Sequence, residues 1–308
     1  MNIFTKKLYI LTEQNETYQK LVESLELPNL ELTNNKQQAE VVLAAPPLLA
    51  SHLDEFDSLQ WVQSIYAGVD ALMKDSLRRD YLLTNVKGIF GQQIAEYVFG
   101  FAIGHYRHFE QYRTQQQEQS WNPQPYKTLD AKTVTIVGTG TIGIHLARVS
   151  KAFGIRTIGV NTRGLPTSDS PFDDIYHIDE LSSAIAKSDI VVSTLPNTRA
   201  TIGIFNQEVL SAGKGVLLFN VGRGNSICQN GLIEALDNGS IEHAFLDVFE
   251  QEPLEPSHSY WQHPKITITP HIAALSFPEQ VVDIFAHHYK HWEQGYTLHD
   301  CINFDKGY

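Results

Sequence analysis

Short apolar runs separated by polar, helix-length stretches recur along most of the chain. In the first eighty-odd residues the runs are LYILT (8–12), VVLAA (41–45), WVQSI (61–65) and YLLTNV (81–86), each bounded by Pro, Asn, Asp or Gly. Runs of this length with such boundaries predict strands, and their alternation with polar helical stretches predicts a small parallel α/β unit. The period then changes. Ile94, Tyr97, Val98, Phe101, His105, Phe109 and Tyr112 recur at helical spacing, which predicts one long helix over 92–119. WNPQPYKTLD (121–130) follows as a proline-bearing linker and a candidate boundary.

A second series of apolar runs comes next: VTIVG (134–138), TIGV (157–160), IVVSTL (190–195), VLLFNV (216–221), AFLDVF (244–249) and ITITP (266–270). The inner runs are almost wholly apolar, as parallel strands covered by helices on both faces must be. A last helix is expected over 278–295, followed by a short polar tail. The pattern as a whole predicts an α/β protein with doubly wound parallel sheets.

Length and charge narrow the picture. A chain of 308 residues accommodates two domains more readily than one core. Its net charge of −12 argues against broad nucleic-acid binding, which needs basic surface, and against an anionic membrane as partner. The two cysteines, Cys228 and Cys301, are far apart and form no CxxC pair, so neither a disulfide framework nor a zinc site is expected and no metal is invoked. No signal segment and no long apolar span is read in the chain, so a cytoplasmic protein is expected.

The chemistry begins at Gly138-Thr139-Gly140-Thr141-Ile142-Gly143, a G-x-G-x-x-G stretch that directly follows the apolar run VTIV and opens a helical pattern. The first glycine permits a tight turn, the second lets backbone approach a pyrophosphate, and the third lets helix pack on strand. The helix N-terminus supplies N–H groups and positive dipole to the phosphates. The next strand is expected to end at Val160, which puts Asn161 where an acid would hold the ribose hydroxyls of NAD. Asn161 and Thr162 are neutral, and Arg163 can pair with a phosphate. The motif therefore predicts NADP(H) in preference to NAD(H), with NAD(H) left open.

Three further stretches fall at the carboxyl ends of later strands, where open α/β sheets bind ligands: FNVGRG (219–224), LDVFEQEPLE (246–255) and ITPHIAA (268–274). Together they carry what reduction of a 2-oxo acid needs. Arg223 can bind the substrate carboxylate and polarise the carbonyl. His271 can protonate the carbonyl oxygen as hydride reaches carbon. Glu252 can orient the imidazole and favour its charged form.

In this order the motifs resemble the D-isomer-specific 2-hydroxyacid dehydrogenases, and the likeness covers nearly the whole chain. The resemblance implies Arg223, Glu252 and His271 as the catalytic set, Asp247 at the nicotinamide amide, and Leu195-Pro196 beside adenosine, with Val221 among the cofactor contacts. It likens IYAGVD (65–70) to a loop whose amides hold the substrate carboxylate, implying Tyr66, Ala67, Gly68 and Val69 as substrate-binding. Within the family, LPNTRATIGIFN, YWQHPKITITPHIAA and the terminal KGY look like the A-type glyoxylate/hydroxypyruvate reductases, a branch that typically uses NADPH.

Further implications are two Rossmann-like or flavodoxin-like domains, a discontinuous substrate domain (1–98 and 279–308) around a cofactor domain (99–278), and a homodimer formed through the long helix and its neighbours. The small-molecule partner would be a 2-oxo or 2-hydroxy acid. Gly222 departs from the family, in which many members have alanine before the arginine. Rival readings are a 3-phosphoglycerate dehydrogenase, whose extra phosphate would need groups such as Lys74, Arg78, Arg79 or Lys87, a D-lactate-type dehydrogenase, and a non-catalytic dinucleotide sensor like the C-terminal-binding corepressors.

Overall fold

The computed structural model describes residues 5–298 and 301–307. They form two compact units, one made of the chain through Ile89 together with the chain from Ser276, the other of Phe90–Leu275.

The first unit opens with β1 (Lys6–Leu11), α1 (Asn15–Ser24), β2 (Leu30–Leu32), β3 (Val41–Ala44), α2 (Pro46–Ala50), β4 (Trp61–Ser64) and β5 (Leu82–Thr84). All neighbours pair in parallel, in the order β2-β1-β3-β4-β5. The central strands β3 and β4 are fully buried, as expected for strands covered on both faces. Strand β2 had no counterpart in the predicted set: it is a three-residue edge strand with an exposed glutamate at its centre, too short and polar to leave an apolar run.

The second unit starts with α3 (Phe90–Tyr106) and α4 (Phe109–Gln117), so the single helix expected over 92–119 is two. His108 between them is left-handed, with φ 57°. The linker explains the break. His108 Nε2 bonds the Pro125 carbonyl at 2.9 Å, the Tyr112 hydroxyl accepts from the Gln124 amide at 2.8 Å, and Arg107 lies 4.1 Å from the centre of the Tyr126 ring. The linker thus folds back along α4, and it lies inside this unit instead of marking a boundary. The unit boundaries fall before α3 and after Leu275, earlier than the 98/99 and 278/279 divisions read from sequence, because α3 is a continuous helix belonging wholly to this unit.

The rest of this unit alternates β6 (Thr133–Val137), α5 (Thr141–Ala152), β7 (Arg156–Asn161), β8 (Asp174–His177), α6 (Leu181–Ile185), β9 (Ile190–Ser193), α7 (Gln207–Ser211), β10 (Val216–Asn220), α8 (Gln229–Asp237), β11 (Ile241–Leu246) and β12 (Ile266–Ile268). The sheet is parallel, in the order β12-β11-β10-β9-β6-β7-β8. Successive residues feed opposite faces. Val134, Ile136, Ile190, Val192, Leu217 and Phe219 enter one core, while Val137, Val191, Val216 and Leu218 enter the other. Two buried faces are the reason these strands read as unbroken apolar runs. The half-exposed edge strand β8 (DIYH) left no such signal.

The chain returns to the first unit with α9 (Pro278–Glu293), whose Val281, Val282, Phe285, Ala286, His288 and Tyr289 are buried. Phe285 stacks on Trp61 of β4 with centroids 5.4 Å apart, and His288 Nδ1 bonds Gln63 Oε1 at 2.8 Å. This discontinuous unit and its partner are both doubly wound α/β folds.

Candidate active site

The strand order of the second unit reverses between β6 and β9, and open α/β sheets bind ligands at such a point, outside the carboxyl ends of the strands. The G-x-G-x-x-G loop lies there. Gly138 has φ +106°, and a Cβ on it would sit 2.5 Å from Thr194 Oγ1. A Cβ on Gly143 would lie 2.1 Å from the Gly138 carbonyl oxygen. At Gly140 nothing lies within 4 Å of that position. The chain itself therefore demands the first and third glycines, whereas the second keeps an approach to the backbone open.

Helix α5 begins at Thr141, followed by Ile142 and Gly143, and no side chain caps its N-terminus. Across the reversal, the Thr194 amide donates to Val137 O at 2.9 Å and its hydroxyl to Gly138 O at 3.1 Å, which brings the Leu195-Pro196 loop beside the glycine loop. Ser193 Oγ, at the end of β9, is buried and has no hydrogen-bond partner among the described residues. An uncapped helix start, open space at Gly140 and an orphaned hydroxyl fit a bound pyrophosphate group.

Strand β7 extends one residue beyond its expected end, through Asn161. The Asn161 amide donates to Thr139 Oγ1 and to the Leu165 carbonyl, both at 3.1 Å. Its carbonyl accepts from the amides of Arg163 at 2.9 Å and Gly164 at 2.8 Å. Thr162 and Arg163 are exposed on the turn so formed.

The catalytic candidates come from three neighbouring loops of the same unit. After β10 and the half-buried Val221, Gly222 packs on the Leu195 loop so closely that a Cβ would lie 2.6 Å from both Leu195 N and O. This is the local reason for glycine at a position where many family members have alanine. Arg223 is extended, its Nη1 donates to Gly222 O at 2.7 Å, and its carbonyl accepts from Ser226 Oγ at 2.8 Å and Asn220 Nδ2 at 3.0 Å.

Glu252 accepts from the Phe249 amide at 2.8 Å through Oε1, and its Oε2 meets His271 Nδ1 at 2.7 Å. That hydrogen bond with Glu252 raises the His271 pKa above the ordinary histidine range, against burial and the Arg223 charge, which lower it. Burial pulls the Glu252 carboxyl upward, but the bonds from His271 and the Phe249 amide outweigh it and leave the pKa low. With Nδ1–H given to the carboxylate, Nε2 is the position left for proton exchange.

His271 has φ +55°, in the left-handed region that few side chains adopt. Its amide donates to the Asp247 carbonyl at 2.9 Å. Asp247 itself is only 2 % exposed and holds the loop with its side chain, accepting from Thr269 Oγ1 at 2.6 Å and from the amides of Ile272 at 2.8 Å and Ala273 at 2.9 Å. The Tyr97 hydroxyl of α3 meets Thr269 Oγ1 at 2.7 Å. The family resemblance implies Asp247 at the nicotinamide amide; the fold makes it the anchor of the histidine loop. Thr269 lies within the ITPHIAA stretch without a motif of its own to mark it, and Tyr97 falls in the helical apolar stripe, so neither carries a sequence signal for this role.

The Tyr66–Val69 loop lies in the first unit, after β4. Ser64 Oγ brackets Tyr66, accepting from its amide at 3.0 Å and donating to its carbonyl at 2.9 Å, while Asn85 Nδ2 donates to Ala67 O at 2.6 Å. The amides of Ala67, Gly68 and Val69 have no hydrogen-bond partner among the described residues.

An imidazole held by a carboxylate can give and take a proton but cannot supply hydride. A reduction here would need a bound dinucleotide, and the glycine loop and the α5 N-terminus are the residues that would hold one. That division of labour defines a dinucleotide-dependent oxidoreductase of the α/β class. The family model for the D-isomer specific 2-hydroxyacid dehydrogenase NAD binding domain matches residues 99–273. Glyoxylate/hydroxypyruvate reductase A of Serratia proteamaculans is 32% identical over 263 residues, covering 81% of this chain and 82% of the relative.

Among solved structures, a D-isomer specific 2-hydroxyacid dehydrogenase family protein of Aeromonas salmonicida superposes with a TM-score of 0.92 at 39% identity, covering 98% of this chain and all of that one. A D-isomer specific 2-hydroxyacid dehydrogenase of Xanthobacter autotrophicus Py2, solved with NADPH and MES, gives 0.88 at 25% identity, covering 99% of this chain and 100% of that one. The chain belongs to the D-isomer specific 2-hydroxyacid dehydrogenase family, whose members are NAD(P)-dependent dehydrogenases and reductases of 2-hydroxy acids.

Proposed function

We propose that this enzyme reduces a small 2-oxo acid of the glyoxylate or hydroxypyruvate type to the D-2-hydroxy acid, with NADPH as the preferred reductant. The observation that carries the reading is the His271–Glu252 pair at 2.7 Å, with Arg223 on a loop of the same unit. When bound, the reduced nicotinamide supplies the hydride. His271 Nε2 delivers a proton to the carbonyl oxygen as charge develops on it. Glu252 fixes the imidazole through Nδ1 and stabilises its charged form. Arg223 binds the carboxylate and polarises the carbonyl. Phe90–Leu275 serves as the cofactor domain, and the first unit as the substrate domain. Three unsatisfied amides at Ala67, Gly68 and Val69 support that unit's loop as a carboxylate-holding segment.

The preference for NADPH is supported by the NADPH bound to the Xanthobacter protein and by the exposed Arg163 on the turn that follows β7. The 3-phosphoglycerate alternative loses two of its basic groups. Arg78 forms a two-point contact with Asp80, and Arg79 pairs with Asp75. A homodimer is supported by the apolar surface along α4 and the linker, where Phe109 is 53% exposed, Tyr126 56% and Trp121 96%. Among the described residues, no helix is long and apolar enough to cross a membrane.

The test is the initial rate of NADPH and of NADH oxidation, each with glyoxylate and with hydroxypyruvate. Fast NADPH oxidation with either acid supports the reading. Faster NADH oxidation removes the cofactor preference and keeps the reductase. No turnover with either pair removes the substrate class.

A further inference from the structure

The turn that presents Arg163 is braced from both sides, by Asn161 at the end of β7 and by His177 at the register-matched end of β8. A primary amide has two donors and two acceptor lone pairs. Asn161 uses all four: Thr139 Oγ1 and Leu165 O accept from Nδ2, and the Arg163 and Gly164 amides donate to Oδ1. An aspartate could keep the two amide donors. It would, however, turn an oxygen toward the Leu165 carbonyl, where the asparagine now donates at 3.1 Å. The missing acid therefore has a reason internal to the turn, separate from any repulsion of a phosphate.

His177 closes the other side. Its Nε2 bonds the Thr162 carbonyl at 2.9 Å, where a carbonyl can only accept, so Nε2 is the donor; Nδ1 faces the Asp179 amide at 3.3 Å and the Asp179 carboxylate at 3.2 Å. Gly164, with φ +63°, packs so closely that a Cβ on it would be 3.1 Å from His177 Cβ. The peptide units from 162 to 165 are thereby fixed while the Thr162 and Arg163 side chains stay outside. A segment ordered before binding pays less ordering entropy when an anion arrives.

We infer that Asn161 and His177 are positioning residues for cofactor selection, acting through the turn that carries Arg163. The inference rests on the reading that Arg163 meets the 2′-phosphate of NADPH. His177→Ala lowers the ratio of kcat/KM for NADPH over NADH by about five- to tenfold, the size expected for losing one ordering contact, with kcat at saturating NADPH unchanged. His177→Gln, which retains an N–H able to reach Thr162 O, restores part of the ratio. Asn161→Asp weakens NADPH use without improving NADH use.

The experiment measures that ratio and the thermal midpoint for His177→Ala, His177→Gln, Asn161→Asp, Arg163→Ala and the His177→Ala/Arg163→Ala pair. Arg163→Ala is expected to collapse the ratio, and adding His177→Ala to it to change nothing further. If Arg163→Ala leaves the ratio intact, the Arg163 reading fails and the inference falls with it. If Arg163→Ala collapses the ratio but His177→Ala leaves it unchanged, or lowers both cofactors equally, the inference alone is overturned. A gain in NADH efficiency in Asn161→Asp overturns the role given to Asn161.

Discussion

The Thr269 hydroxyl donates to Asp247 Oδ1 at 2.6 Å. Having given its proton to a carboxylate, Thr269 Oγ1 must accept from Tyr97, which meets it at 2.7 Å. The donors therefore run in one direction, from α3 through Thr269 to Asp247, and Asp247 in turn gathers the amides of Ile272 and Ala273. The left-handed His271 is held between these anchored residues.

Removing the anchor uncouples the loop. Asp247→Ala strands the buried Ala273 amide and the Ile272 amide, at about 1–3 kcal/mol for each group left unsatisfied. The expected outcome is a lower thermal midpoint together with a fall in kcat. Thr269→Val, which keeps the shape and removes both the donor to Asp247 and the acceptor for Tyr97 but leaves the Ile272 and Ala273 amides bound to Asp247, should lower kcat less. A Thr269→Val enzyme slower than Asp247→Ala would contradict this ordering.

The sign of the pH dependence follows from the His271–Glu252 pair. Reduction needs the protonated imidazole, and the bond to Glu252 raises its pKa. The rate therefore holds below that raised pKa and falls as pH rises through it. Glu252→Gln removes the principal raising cause, so the falling limb moves to lower pH. A pH–rate profile of the variant checks the direction, and an unmoved limb would assign it to another group.

The two kinds of glycine in the phosphate loop separate binding from folding. Gly140→Ala adds a methyl to open space at an ordinary backbone angle, so the variant should fold with an unchanged thermal midpoint and bind the dinucleotide at least tenfold more weakly. Gly143→Ala drives a Cβ to 2.1 Å from the Gly138 oxygen and should destabilise the fold by about 1–3 kcal/mol or more. Calorimetric unfolding and cofactor titration of the two variants distinguish the cases.

Trp121 is 96% exposed, and the proposed homodimer would cover it. Trp121→Ser should shift the mass measured by light scattering toward the monomer, with little effect on the thermal midpoint of that monomer. An unchanged mass would put the dimer interface elsewhere or remove it.

Much of this protein is legible in its sequence where the chemistry is local. Strand, glycine loop and helix succeed one another within residues 133–152, so hydrophobic run, turn chemistry and helix start all speak about one place. The loops of Arg223, Glu252 and His271 were likewise marked by their position after apolar strands. The helix break at His108 was not legible, because it depends on the linker folding back to Pro125 and Tyr126. The edge strands β2 and β8 carry too little apolar surface to register.

The polar partnerships lie furthest from the sequence. Asn161 could be seen to replace an acid, but its four bonds appear only when β7, the glycine loop and the turn come together. Tyr97 and Thr269 are 172 positions apart. Periodicity records which face of an element leaves water. Which hydroxyl meets which on that face is decided by the packing of α3 against the sheet, and that is tertiary structure alone.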